Sequence, residues 1–124
     1  FSTALPPAAA AVATASLALV EEEPGIVKAL GDRVADFREA CEAAGIACPS
    51  RTAIQPVIVG GASRAVAISA RLRERGLLVP AIRPPTVPAG TSRLRVSLSA
   101  AHSRDQVAAL VAALGDALGD AAAR

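Results

Sequence analysis

Apolar positions recur at helical spacing in some stretches of the chain and alternate or run together in others, and the two periodicities predict an α+β domain. Val27, Leu30, Val34, Phe37, Cys41 and Ala44 follow one another at steps of three and four, which is one face of a helix. The opposite face carries Asp32, Arg33, Asp36 and Glu39 and reads as solvated, and Gly45 is placed to cap the end. Upstream, Pro6 and Pro7 open an alanine-rich helix that runs to about Glu23, where Pro24 and Gly25 break it. Ile54 to Val59 is an apolar, β-branched run between turn signals and predicts a first strand, ended by Gly60 and Gly61. Ser63 is placed to cap a third helix with Ala65, Ile68 and Leu72 inward and Arg64, Arg71 and Arg75 outward, stopped by Gly76. Leu77 to Ile82 predicts a second strand and Arg93 to Ser99 a third. Ser103 with Gln106 forms a capping box for a last helix whose stripe is Val107, Leu110, Val111, Leu114 and Leu118, and residues 121–124 are expected to fray.

The predicted order is helix, helix, strand, helix, strand, strand, helix (ααβαββα), with no internal repeat. Pro56 and Pro80 fall in the first and second strands and none falls in the third. Proline cannot donate to a central ladder, so the third strand is predicted to lie in the middle of a small, largely antiparallel sheet of order 2-3-1 packed by helices.

Composition narrows the function. The chain has 124 residues, of which 31 are alanine, and its only aromatics are Phe1 and Phe37, so its core is thin and its helices must pack closely or lean on a partner. The net charge is +2 and is spread along the sequence, with no aromatic platform on a predicted strand, which argues against nucleic-acid binding. Residues 1–20 are uncharged but small and alanine-rich, which suits a helix buried against protein rather than one in a bilayer. No charged region precedes Leu5 to Val20, so no signal peptide is expected and the reading is cytoplasmic; the start in mid-element reads as a fragment. Cys41, Cys48 and the distant His102 do not make a metal site, and reduced thiols are the expected state, with a Cys41 to Cys48 disulfide left open.

The candidate chemistry lies between Ala81 and His102, in AIRPPTVPAGTSRLRVSLSAAH. Pro84, Pro85 and Pro88 stiffen a loop that Gly90 turns into the third strand. In that strand Leu94, Val96 and Leu98 face a core while Arg93, Arg95, Ser97 and Ser99 face the other way. A guanidinium on that face can grip a carboxylate through two parallel hydrogen bonds; the alternatives are a solvated arginine or a cross-strand ion pair.

That segment, together with FSTALPP at Phe1 to Pro7 and IQPVIVG at Ile54 to Gly60, resembles the C-terminal part of the α-oxoamine synthases. Within the family, RPPTVPAGT followed by RLR favours the branch that serves biotin formation. The resemblance implies the C-terminal small domain of a homodimeric, pyridoxal-phosphate-dependent transferase of fold type I. Its reaction is the decarboxylative condensation of L-alanine with a pimeloyl thioester, carried on coenzyme A or on a carrier protein. It also implies three site positions. Arg95 corresponds to the arginine that binds the amino-acid carboxylate. Thr86 resembles a residue lining the same pocket, with a hydroxyl bonding its own turn as the alternative. Thr3, with Ser2, matches a hydroxyl that reaches the cofactor phosphate of the neighbouring subunit. The family's Schiff-base lysine has no counterpart: Lys28, the chain's single lysine, stands in no similar context, and His102 is placed for capping rather than ring stacking. The expectation is therefore a helix from a domain junction at 1–24 and a small α/β domain at 25–124, inactive and without cofactor when alone. A free-standing small-molecule-binding module or a dimerisation module is the alternative.

Overall fold

Proline and glycine set most of the element boundaries in the computed structural model, which describes residues 3–120. Helix α1 spans Pro7–Glu22 and α2 spans Pro24–Ala43; they are followed by β1 (Ile54–Gly60), α3 (Ala62–Glu74), β2 (Ala81–Ile82), β3 (Ser92–Ser97) and α4 (Arg104–Asp120). Pro7 and Pro24 each open a helix, where a missing N–H costs nothing. Helix α2 ends at Gly45, whose φ of +67° lets its N–H reach the Glu42 carbonyl while Ile46 N–H bonds the Cys41 carbonyl. The same double bond closes α3 at Gly76, through Gly76 to Arg73 and Leu77 to Leu72. At the start of α4, Ser103 and Gln106 exchange side-chain-to-backbone bonds of 2.9 and 3.1 Å, the predicted capping box.

The sheet order is β1-β3-β2, with β3 antiparallel to both neighbours, which is the predicted order read from the other edge. Val57, Leu94, Val96 and Leu98 turn one face of the sheet into a core completed by Phe37, Ile68, Leu72 and Leu114 from the helices. The helices cover that face only. Helix α1 has no buried residue and packs against α2 alone among the described elements, so the burial expected for it is not supplied by the described residues.

Several expectations are corrected. The second strand is two residues long, not six. Pro80 accepts a bond from Arg95 N–H at 2.9 Å but has no N–H to return, Val79's carbonyl is taken by the Ser69 hydroxyl at 2.6 Å, and Leu77 is committed to the cap of α3. The third strand ends at Ser97, although Leu98 N–H still bonds Ala53. Ser63 caps nothing: Gly61 stands at the cap of α3 and its carbonyl already accepts from Ala65, because Gly60, at φ +91°, turns the chain into the helix two residues early. Val27 is exposed, since α2 begins before its packing partners do. The Asp32 to Glu39 face is not wholly solvated, because Arg33 and Asp36 are half-buried beside α4. Both cysteines are free, which is the expected state. No described helix is long and apolar enough to cross a membrane. Phe1, Ser2 and the expected fraying of residues 121–124 lie outside the described residues.

Candidate functional site

Alternation along β3 sorts its side chains as the sequence predicts: Ser92, Leu94 and Val96 are buried, Arg93 is half-buried, and Arg95 and Ser97 are exposed. The register then defines the uncovered face. Arg95 lies opposite Pro56, Arg93 opposite Ile58 on one side and Ile82 on the other, and Ser97 opposite Ile54. The face is thus an apolar surface of isoleucine and proline crossed by one strand that carries two cations.

The two arginines differ in what holds them. Arg93 folds back on the loop, its Nε donating to the Thr91 carbonyl at 3.0 Å and its Nη2 to the Thr91 hydroxyl at 3.1 Å. Arg95 is fixed only through its backbone, by the bond to Pro80. Among the described residues its guanidinium makes no hydrogen bond or ion pair. The cross-strand ion pair is ruled out by the neighbours themselves, since Pro56 and Pro80 flank Arg95 on the two sides and neither carries a charge. All the donors of Arg95 therefore remain open to an external acceptor.

The proline loop is two turns in succession. Thr86 N–H bonds the Arg83 carbonyl at 3.1 Å across Pro84 and Pro85, whose peptide bond is cis. Thr91 N–H and its hydroxyl both donate to the Pro88 carbonyl, at 3.2 and 2.8 Å, with Gly90 at φ +78° in the position where a type II turn requires a positive φ. Thr86 is exposed at the loop, and its turn is closed by its backbone rather than by its hydroxyl, which is left without a partner among the described residues. One hairpin thus carries Thr86 at its tip and Arg95 in mid-strand, with no hydrogen bond between them. Thr3 is exposed ahead of α1, and no packing of α1 links it to β3; Ser2 lies outside the described residues.

The remaining candidates are engaged elsewhere. Lys28 is exposed and ion-paired with Asp32 at 2.7 Å, one helical turn away. His102 accepts the Ser99 N–H at Nδ1, 3.0 Å away, which leaves its ring proton on Nε2 and makes the ring part of the turn into α4. The residues described here therefore do not fit pyridoxal phosphate as a covalently held group: the one lysine is committed to a surface pair and stands on an element remote from Arg95.

One polar cluster was not legible in the sequence. Asp36 Oδ1 accepts from Arg104 Nε and Nη2 at 3.0 and 2.8 Å, and Asp36 Oδ2 lies 3.0 Å from Arg33. The bonds from Arg104, opposed by partial burial, hold the Asp36 carboxyl below its ordinary range. This cluster joins α2 to α4 across 68 residues of sequence, a separation at which spacing carries no signal.

Comparison with known proteins bears on the family and the fold. The model of the aminotransferase class I and II family matches residues 1–114. An 8-amino-7-oxononanoate synthase of Dechloromonas aromatica (strain RCB) is 51% identical over 117 residues, covering 92% of this chain and 30% of the relative. Among solved structures, a serine palmitoyltransferase from S. paucimobilis with a bound PLP–myriocin aldimine superposes with a TM-score of 0.85 at 27% identity, over 100% of this chain and 32% of that one. The 8-amino-7-oxononanoate synthase of Francisella tularensis gives 0.79 at 24% identity, over 97% and 35%, a likeness of fold. The chain spans about a third of the length of the curated relatives it matches.

Proposed function

The chain belongs to the aminotransferase class I and II family, and from that premise we propose that it is the C-terminal part of an 8-amino-7-oxononanoate synthase. In this reading the complete protein condenses L-alanine with a pimeloyl thioester, on coenzyme A or a carrier protein, with loss of carbon dioxide. This chain supplies the arginine that holds the alanine carboxylate. The observation that carries the reading is Arg95: exposed on an apolar sheet face, flanked by two prolines, and with every side-chain donor open. A planar fork of donors in that setting matches a carboxylate better than any other small anion of an amino acid.

The other roles follow from the same reading. Thr86, with its hydroxyl open, lines the pocket from the loop. Thr3 and Ser2 reach toward the cofactor phosphate of the neighbouring subunit in a homodimer. Residues 1–24 form the helix of the junction, in keeping with the solitary packing of α1 on α2, and residues 25–124 form the small domain. The lysine that would hold pyridoxal phosphate belongs to the remaining polypeptide, so the isolated chain is inactive, and the protein is cytoplasmic. The test is release of carbon dioxide from L-alanine by the complete protein in the presence of pimeloyl-CoA or pimeloyl carrier protein. Dependence of that release on both substrates supports the reading. No release with either acyl carrier overturns it.

A further inference from the structure

Two thiols meet where α2 ends. Cys41 is fully buried in the last turns of the helix, and Cys48 is half-buried against the same core cluster. The Gly45 turn brings them together, because the bond from Ile46 N–H to the Cys41 carbonyl reverses the chain and returns Cys48 beside the helix. Their access differs. Cys41 is closed to solvent, whereas Cys48 lines a surface depression bordered by Arg38, Glu39 and Glu42. The Arg38 Nε is buried there without a hydrogen-bond partner. Charges of both signs around an accessible thiol suit a small disulfide that itself carries carboxylates and ammonium groups, such as oxidised glutathione.

We propose that Cys41 and Cys48 form a reversible intrachain disulfide that clasps the end of α2 to the segment entering β1, with a low-molecular-weight disulfide as oxidant and Cys48 as its point of entry. The exchange balances in two steps. Cys48 loses its proton and attacks one sulfur of the reagent; that S–S bond breaks, and the departing thiolate takes up a proton. Cys41 then loses its proton and attacks the Cys48 sulfur of the mixed disulfide, expelling the second thiolate, which is protonated in turn. The two cysteines give up two electrons together, and the reagent is reduced to two thiols. Burial, with the neighbouring Cys48 thiol, holds the Cys41 proton above the ordinary thiol range, so closure is the slower step and the mixed disulfide precedes it. The clasp bears on the site through β1, whose Pro56 lies opposite Arg95.

The experiment treats the reduced, folded protein with oxidised glutathione, quenches by alkylation at intervals and digests with trypsin. Cleavage after Arg38 and Arg51 leaves both cysteines in one peptide, Glu39 to Arg51. The expected course is a transient single-glutathione adduct, followed by an unalkylated peptide two hydrogens lighter than the reduced one, restored by dithiothreitol. Cys41→Ala stops at the adduct, and Cys48→Ser gives neither adduct nor closure. Should Cys41→Ala fail to fold, the wild-type course decides alone. A peptide that keeps both thiols, an adduct that never closes, or a cross-link to a second copy overturns the proposal.

Discussion

Replacing Arg95 by alanine in the complete protein removes a side chain that nothing among the described residues holds, so the loss should appear in substrate binding and not in folding. The guanidinium has no partner among the described residues, and its strand is anchored by backbone bonds that alanine keeps. The folding cost should stay within about 0.5 kcal/mol, as for other exposed positions. Binding is another matter. A bidentate grip on a carboxylate comprises two charge-assisted hydrogen bonds, each contributing about 1.5–3 kcal/mol, and the pair is less than additive. A loss of roughly 3–4 kcal/mol corresponds to about two to three powers of ten in kcat/KM for L-alanine. Arg95→Lys should recover only part of it, because an ammonium keeps the charge but not the fork. Arg93→Ala should cost far less, since that guanidinium is already spent on Thr91. The assay is initial rate against alanine concentration with the acyl thioester saturating, alongside urea denaturation of each variant. An unchanged KM for alanine in Arg95→Ala, or a larger effect from Arg93→Ala, would refute the assignment.

Three further outcomes are expected. Phe37→Ala empties a fully buried position among α2, α4 and the sheet and should lower stability by about 3–5 kcal/mol in urea denaturation; a loss below about 1 kcal/mol would show that the thin core collapses around the gap. The Asp36 carboxyl sits below its ordinary value of 3.8, so it contributes stability that is full above that value and is lost as the pH falls through the lowered one. The gap in denaturation midpoint between wild type and Asp36→Asn should accordingly be widest near neutrality and close below pH 3.8; a gap that persists in acid would place the effect elsewhere. Lys28→Ala should leave both stability and turnover essentially unchanged, and borohydride treatment of the isolated chain with pyridoxal phosphate should give no specific label at Lys28, because an exposed i,i+4 pair contributes about 0.5 kcal/mol or less.

What the sequence made legible was local or strictly periodic. Gly45 and Gly76 end helices because their carbonyl-capping geometry needs a positive φ, and Ser103 with Gln106 starts one because two side chains satisfy two N–H groups within four residues. Proline placement gave the sheet order for the same kind of reason, a donor that does not exist. The failures share a cause as well. Leu77 to Val79 has the composition of a strand, yet its Leu77 N–H is taken by the α3 cap and its Val79 carbonyl by the Ser69 side chain, engagements that strand composition does not reveal. The clasp of Asp36 by Arg104 depends on tertiary placement across 68 residues, and the separate fates of Arg93 and Arg95 depend on how Arg93 folds back on Thr91, a side-chain conformation that alternation along β3 does not encode.

The uncovered face of the sheet explains why a guanidinium belongs there. Ile54 and Ile58 are 54% and 52% exposed, and with Pro56 and Ile82 they form an apolar surface around Arg95. Polypeptide laid over that surface gains about 25 cal/mol for each Å² of apolar area removed from water. The same cover strips solvent from Arg95, and an unpaired buried charge costs several kcal/mol. Pro56 and Pro80 deny it a partner from either neighbouring strand, so under such a cover its partner has to come from outside the sheet, and in the proposed reading it is the substrate carboxylate. In the proposed role, the prolines that make the edges of this sheet also keep Arg95 unsatisfied until a carboxylate enters, and burial of the isoleucines would turn that need into selectivity for the ligand that meets it.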